Sequence, residues 1–190
     1  MDKVKIDIYF DGACKNVKDS YKEPFGVGVA VFIDGEYSDV YSKSIWGAEG
    51  TSNIAEWTGC IEAFGVAYLL HQIISGEVHT SEPTRVSQPI ITIYSDSQLI
   101  TRQFNGEYQI KEQRFLPYYN ESKRVVNLFD KDIKITWVPR EQNWVADELS
   151  KRALNKDFST VGANIPYTKP KRYKGTRQVG PPKTQQDGKI

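Results

Sequence analysis

The first part of the chain alternates apolar and polar residues with the period of a β-strand. Residues 4–11 read VKIDIYFD, in which β-branched and aromatic side chains occupy every second position. We expect this strand to end at Asp11, because Gly12 lets the chain turn tightly and approach a ligand. A polar loop over residues 13–24 would then lead to a second strand, Phe25–Ile33.

This second strand starts an antiparallel hairpin. Gly26 and Gly28 lie on one of its faces, and the dipeptide Asp34-Gly35 that follows it is a two-residue hairpin signal. The return strand covers residues 36–46. The sequence therefore predicts that the sheet begins as a meander of three antiparallel strands.

The pattern then changes to the helical period. Thr51, Ser52 and Asn53 offer a cap for a helix that runs to about Ile74, and a polar connector, residues 75–89, follows it. The remaining predicted elements are a strand at 90–94, a helix at 97–104, a helix from 115 or 116 to 129, a strand at 132–138 and a helix at 143–154. This order predicts an α/β fold with a five-stranded mixed sheet, three antiparallel strands and then two parallel ones, flanked by helices.

Composition and charge narrow the class of protein. The 190 residues carry a net charge of +1, and no apolar run approaches the ~18 residues that span a bilayer. The beginning of the chain, MDKVKID, has no apolar segment of the kind found in secretory signals. A disulfide between Cys14 and Cys60 is possible, but their lack of CxxC spacing favours two free thiols and a cytoplasmic protein.

The chain divides into a folded part and a tail. Residues 1–156 contain all the predicted elements and are long enough to bury one core. Residues 157–190 are rich in Pro, Gly, Gln, Lys and Arg, so we expect a disordered basic tail. The tail either adds salt-dependent affinity for phosphates or is a solvated segment without a role.

Four carboxylates at the ends of predicted elements are the candidate metal-binding and catalytic residues. Asp11 and Asp96 each follow an apolar strand, while Glu56 and Asp147 each open a helix. If the two strands are parallel neighbours, these side chains meet at one edge of the sheet. Clustered carboxylates repel one another unless cations are present, and all-oxygen ligation suits Mg²⁺ or Mn²⁺ and not Zn²⁺. Two such ions would clamp a phosphodiester.

Each acid also has a simpler structural interpretation when it is taken alone. The Asp11-Gly12 pair is typical of a turn, and Glu56 with Asn53 has the spacing of a capping box. Asp96-Ser97 is a typical helix N-cap, and Asp147 is a first-turn acid favoured by the helix dipole. Only their joint placement favours a metal site.

Four blocks of the sequence resemble type 1 ribonucleases H. They are FDGAC (10–14), TSNIAEW (51–57), YSDSQLI (94–100) and WVPREQNWVADELSKRA (137–153). The resemblance implies the ribonuclease H-like fold and an endoribonuclease that hydrolyses the RNA strand of RNA–DNA hybrids with two Mg²⁺ ions, leaving 5′-phosphate and 3′-hydroxyl ends. It also implies that the metal ligands are the four acids, Asp11, Glu56, Asp96 and Asp147.

The same resemblance implies which residues contact the substrate. Ribose 2′-hydroxyls would be contacted at Gly12, Ala13, Cys14, Ser52, Asn53 and Gln98, and a DNA phosphate at Thr51. Ser, Asn and Gln suit this role because they both donate and accept hydrogen bonds, as a 2′-hydroxyl does. Helix capping is the alternative role for Ser52 and Asn53.

The loop before the last acid departs from the pattern of many bacterial members. Those proteins carry a His there, whereas Pro139–Ala146 contains none, and the two histidines, His71 and His79, lie near the long connector. The VPRExN pattern is similar to archaeal and plant-type relatives. Glu141 is a candidate for the proton transfer, and a surface ion pair between Arg140 and Glu141 is the alternative.

A second departure is the short basic protrusion. Residues 104–119 keep cations and aromatic residues that would touch the DNA strand or, for the aromatic ones, join the core; these are Lys111, Arg114, Tyr108, Phe115 and Tyr118. We expect a stand-alone monomer with an RNA–DNA hybrid as its partner. The nuclease domain of a retroelement polymerase and a non-catalytic hybrid-binding module are the alternatives.

Overall fold

The computed structural model describes residues 3–15, 23–76, 88–129 and 132–156. Five strands form one sheet in the order β3-β2-β1-β4-β5. The strands are β1 Lys5–Cys14, β2 Glu23–Ile33, β3 Glu36–Gly50, β4 Ile90–Ser95 and β5 Ile135–Trp137, and the helices are α1 Ser52–Ile74, α2 Gln98–Phe104, α3 Leu116–Val126 and α4 Trp144–Leu154. The first three strands are antiparallel, and β4 and β5 are parallel to β1. The predicted fold class is confirmed.

The prediction that β1 ends in a turn at Gly12 is wrong. The strand continues to Cys14, and Gly12 pairs with Val27 of β2. Gly12 serves another purpose, because a Cβ there would lie 2.4 Å from the backbone nitrogen of Glu56. The glycine therefore lets the beginning of α1 pack directly on the strand, and Asp11 lies within β1 rather than at its end.

Other boundaries also differ from the predicted ones. β2 begins two residues earlier and β3 extends to Gly50, since the hairpin continues through two register shifts. α3 ends at Val126, before the predicted residue 129. β5 is shorter than predicted because it is an edge strand, and the side chain of Asn105 occupies the main-chain N–H and C=O of Ile135.

The sheet is covered on both faces. α1 packs on β1 and β2, with α3 beside it, and this side holds the larger core, including Ile8, Phe10 and Trp57. α4 packs on the other face against β1, β2 and β3, where Tyr9 stacks on Tyr94 at 4.6 Å. Because both faces are covered, the acidic residues of β1 are buried too: Asp7 is 7% exposed and Asp11 is 5% exposed.

Two glycines of β2 allow the close approach of α4. A Cβ at Gly26 would lie 2.0 Å from the carbonyl oxygen of Ser150, and one at Gly28 would lie 2.1 Å from that of Ala146. Both are backbone atoms of the helix that carries Asp147. The prediction that Gly26 and Gly28 share a face is confirmed, and α4 packs against that face.

We expect Gly28→Ala to lower the free energy of unfolding by about 1–3 kcal/mol, because α4 must move to admit the methyl group. Gly65→Ala is the matched control, since a Cβ at that exposed position of α1 meets nothing within 4 Å. It should stabilise the protein by about 0.5–1 kcal/mol through helix propensity. Urea unfolding of both variants measures the difference, and equal stabilities would refute the packing argument.

Several sequence predictions fall outside the described residues. They concern most of the connector after α1, including His79, much of the loop over residues 13–24, and the whole tail at 157–190. Within the described part of the chain, no helix has the length and apolar character needed to cross a membrane. Both cysteines are free thiols, as predicted.

Candidate active site

The four acids converge on one end of the sheet. Phe10 of β1 pairs with Ser95 of β4 in parallel register, so the residues that follow them, Asp11 and Asp96, are neighbours at the same edge. Glu56 comes from the second turn of α1 on one face of the sheet, and Asp147 from the first turn of α4 on the other. The geometry anticipated from the strand order is therefore present.

Burial and repulsion between the acids raise the pKa values of three of these carboxyl groups, those of Asp11, Glu56 and Asp96. For Asp11, burial and then the charge of Asp96 raise the pKa to about 7, against the stabilising hydrogen bond from Ser150. The pKa of Glu56 is raised well above its ordinary value by burial and then by the charges of Asp11 and Asp96. Burial also raises the pKa of Asp96. The acids are close enough to destabilise one another's ionised forms.

Two residues of the last helix region connect the acids on β1 and β4. The side-chain amide of Asn143 donates to the Phe10 carbonyl at 2.9 Å and to Asp96 Oδ1 at 2.5 Å. The Ser150 hydroxyl donates to Asp11 Oδ2 at 2.5 Å. Asn143 and Ser150 are fully buried. They fix α4 to the strand ends and hold both carboxylates in place.

Asp147 is held by two cations. Arg140 Nη2 donates to Asp147 Oδ1 at 2.8 Å, and Lys151 Nζ donates to Asp147 Oδ2. Arg140 is 63% exposed at its side chain whereas Asp147 is completely buried, so the guanidinium covers the acid from the solvent side. The predicted alternative of an Arg140–Glu141 surface pair is wrong, because the described ion pair of Arg140 is with Asp147.

The capping interpretations of the acids are not confirmed. Thr51 is the N-cap of α1 and accepts from the Ile54 amide at 3.3 Å, so the Asn53–Glu56 capping box does not form. Ser97, not Asp96, caps α2. Glu56 Oε2 is buried without a hydrogen-bond partner among the described residues. Such an atom is costly unless something binds it.

The donor set fits a hard divalent cation. All four acids offer oxygen atoms only, which Mg²⁺ and Mn²⁺ prefer. Glu56 Oε2 is a buried oxygen without a hydrogen-bond partner among the described residues and is therefore available to a metal ion. In the described ranges, no three acidic, His or Cys side chains are already grouped closely enough to hold a metal. The reason is visible in the contacts, since Asp147 faces Arg140 and Lys151 while Asp11 faces Ser150.

The raised pKa of Asp11 predicts how metal-free stability depends on pH. The folded pKa of about 7 exceeds the unfolded value near 3.8, so the folded state binds the proton more tightly. The resulting stabilisation is complete below about pH 4 and is lost as the pH rises through 7. In EDTA, wild type should therefore lose stability relative to Asp11→Asn between pH 5 and pH 8.

Urea unfolding of both proteins at the two pH values measures this change. Added Mg²⁺ should stabilise wild type more at pH 8 than at pH 5, because ligation needs ionised carboxylates. A gap between wild type and Asp11→Asn that does not change with pH would contradict the assigned repulsion.

The predicted substrate-contacting residues lie around the acids. Gly12, Ala13 and Cys14 form the end of β1 and are partly exposed. Cys14 Sγ lies 3.9 Å from the Gly50 carbonyl, so this strand end borders the beginning of α1, where Thr51, Ser52 and Asn53 lie. The exposed Gln98 is the first residue of α2, two positions after Asp96. The predicted contact residues therefore come from β1, α1 and α2, the elements that carry or follow Asp11, Glu56 and Asp96.

The short protrusion is divided between core and surface. Phe115 is buried, and Tyr118 packs against the main core. Tyr108 is 46% exposed, and Lys111 is exposed as well. Arg114 pairs with Glu112 at 2.5 Å. The core interpretation is thus confirmed for Phe115 and Tyr118, while Tyr108 remains on the surface.

Sequence reasoning did not assign roles to Asn143, Ser150 or Lys151. A signal was present, because these residues lie four before, three after and four after Asp147, which is the spacing of one helix face. Polar side chains at those positions of a helix that is otherwise buried indicate partners for the acid. The contact of Asn143 with Asp96 depends on β4 and could not be read from that spacing.

Comparison with known proteins agrees with this geometry. A family model described as "Reverse transcriptase-like" matches residues 86–153, the part that includes Asp96 and Asp147. The "Bifunctional protein Rv2228c" of Mycobacterium tuberculosis is 23% identical over 142 residues, which cover 74% of this chain and 34% of that protein. The chain thus spans about a third of the length of this curated relative.

Solved structures match over most of the described fold. LC11-RNase H1, isolated from compost by a metagenomic approach, has 25% identity and a TM-score of 0.64, covering 80% of this chain and 96% of that one. The same protein has also been solved in complex with RNA/DNA hybrid. RNase H1 from the archaeon Halobacterium salinarum has 25% identity and a TM-score of 0.61, covering 80% and 98%. The chain therefore has a ribonuclease H-like fold and is similar to type 1 ribonucleases H.

Proposed function

We propose that this protein hydrolyses the RNA strand of RNA–DNA hybrids with two divalent cations, leaving 5′-phosphate and 3′-hydroxyl ends. The observation that carries the proposal is the convergence of Asp11, Glu56, Asp96 and Asp147, in which burial and the charges of neighbouring acids raise the pKa values of Asp11, Glu56 and Asp96. Clustered buried carboxylates would weaken phosphate binding unless cations join them. The four acids would hold two Mg²⁺ ions, or Mn²⁺ as a substitute, which would supply an activated water and stabilise the charge on the leaving oxygen.

The protein's own residues would hold this arrangement rigid. Asn143 fixes Asp96 and Ser150 fixes Asp11, each through a hydrogen bond of 2.5 Å. Arg140 and Lys151 orient Asp147 and offset part of the negative charge at the solvent side. Outer partners of this kind orient ligands, and their loss commonly costs 10–100-fold in metal affinity or activity.

Recognition of the hybrid would use the surface beside the acids. Ser52, Asn53 and Gln98 can both donate to and accept from a ribose 2′-hydroxyl, and Thr51, the N-cap of α1, would contact a DNA phosphate. The main chain of Gly12, Ala13 and Cys14 would contribute further contacts. The hybrid-bound structure of LC11-RNase H1 supports a hybrid as the substrate. A retroelement nuclease domain would share this chemistry.

Analysis of the products tests the proposed chemistry. RNA fragments cut from a hybrid should be substrates for ligation without prior phosphorylation, and the upstream fragments should be extended by a polymerase. These results require 5′-phosphate and 3′-hydroxyl ends. Products that carry 2′,3′-cyclic phosphates would show attack by the ribose hydroxyl and would refute the proposal. The monomeric state, the cytoplasmic location and a nucleic-acid role of residues 157–190 stay predictions.

A further inference from the structure

A groove of about 300 Å³ lies between α2 and β5, next to the candidate active site. We call it the α2–β5 groove; its lining includes Gln98, Thr101, Arg102 and Trp137. Gln98 belongs both to this groove and to the surface predicted to contact ribose. The groove therefore extends from the predicted ribose-contacting residue Gln98 to the edge strand β5.

The groove is fixed to the catalytic end by Trp137. The indole Nε1 donates to the main-chain carbonyl of Asp96 at 3.1 Å, while the side chain remains 45% exposed. Trp137 lies two positions after Ile135 and four after Ile133 in strand alternation, but only the two isoleucines are buried. An exposed aromatic ring anchored to the backbone of a candidate metal ligand is a ready surface for a sugar or base.

The cation of the groove is positioned but not neutralised. The guanidinium of Arg102 lies 5.1 Å from the centre of the Tyr108 ring and donates to the Tyr108 hydroxyl. Glu107 also lines the groove, yet Arg102 forms no ion pair with any carboxylate in the described ranges. A fixed guanidinium without an acidic partner suits a phosphate.

Thr101, which lines the groove, carries a buried polar atom without a described partner. Thr101 is 4% exposed, and its hydroxyl oxygen has no hydrogen-bond partner among the described residues. A buried hydroxyl in this state is normally satisfied by a ligand or a bound water. This observation is independent of the charge of Arg102 and of the exposure of Trp137.

We propose that the α2–β5 groove is a subsite for the RNA strand, in which Arg102 pairs with a phosphate next to the cleavage site and Trp137 packs on the adjoining nucleotide. The inference rests on the proposed hybrid nuclease activity and extends it. The RNA strand is favoured over the DNA strand because the groove is continuous with Gln98 and Asp96.

The test neutralises single phosphates of the substrate. Each hybrid has one cleavage site and carries an uncharged methylphosphonate beside a 2′-O-methyl ribose at one neighbouring RNA position. The reference hybrid has the 2′-O-methyl ribose at the same position with a normal phosphate. For wild type, the uncharged linkage at one position beside the cleavage site should lower kcat/KM about tenfold, mainly by raising KM. For Arg102→Gln that penalty should vanish, and for Arg102→Lys it should partly return.

Control variants separate this effect from a general loss of charge. Lys5→Gln removes an exposed cation at the opposite end of β1 and should keep every wild-type penalty. Trp137→Phe and Trp137→Ala both lose the bond to Asp96, so the ring itself is responsible if only Ala raises KM about tenfold.

Specific outcomes would overturn the inference. A penalty that persists unchanged in Arg102→Gln at every RNA position would do so. If wild type cuts no hybrid, the proposed function fails first. The same phosphate scan read by equilibrium binding of the hybrid then decides on the groove alone.

Discussion

Asp96→Asn should lower the rate of hybrid cleavage about a thousandfold, because the substitution removes a charged ligand at the centre of the acid cluster. Binding of the hybrid should be kept or tightened. The reason is that the charge of Asp96 raises the pKa of both Asp11 and Glu56, so the neutral side chain relieves repulsion within the site and toward phosphates. Single-turnover cleavage and equilibrium binding, measured on the same hybrid, separate the two effects.

A control and an alternative define what this result means. Asp39→Asn changes an exposed acid on β3 and should leave both measurements at the wild-type level. A non-catalytic hybrid-binding module would show no cleavage to lose in wild type. Cleavage by Asp96→Asn at the wild-type rate would exclude Asp96 as a ligand.

Arg140→Ala should reduce cleavage by about 10–100-fold, because its guanidinium is the solvent-side partner of the buried Asp147. Without it, Asp147 retains only Lys151 among the two cations that hold it. The loss should be mainly in kcat, and part of it should be recovered at higher Mg²⁺ concentration if the ligand is merely misplaced. Steady-state kinetics over a range of Mg²⁺ concentrations measure both features.

Glu141→Ala is the matched variant for the same loop. Glu141 is exposed in the 3-10 turn Arg140–Gln142, so its removal should change cleavage less than threefold if it has no proton-transfer role. A large loss in Glu141→Ala together with a normal Arg140→Ala would contradict our assignment. It would instead support Glu141 as the residue that takes the role of the His found in this loop of many bacterial members.

The sheet order and the meeting of the acids could be predicted because they follow from general rules. A strand after a crossover helix lies parallel to its neighbour, which brings Asp11 and Asp96 to one edge. The end of β1 could not be predicted in the same way. Asp11-Gly12 has the composition of a turn, and only the packing of α1 on Gly12 shows why the strand continues.

The hydrogen-bond partners of the acids were beyond the sequence for a similar reason. Helical spacing relates Ser150 and Lys151 to Asp147, but the partner of Ser150 is Asp11 on a strand 139 positions away. Trp137 alternates in phase with Ile133 and Ile135, which are buried. It is exposed because β5 is a short edge strand, which strand alternation alone does not reveal.

The most direct test of the central claim is cleavage of a 5′-labelled RNA–DNA hybrid in Mg²⁺, in Mn²⁺ and in EDTA. Matched single-stranded RNA, double-stranded RNA and double-stranded DNA are incubated in parallel. We predict that only the RNA strand of the hybrid is cut, and only when a divalent cation is present. A folded protein that leaves the hybrid intact with both metals, or that cuts it in EDTA, would contradict the account.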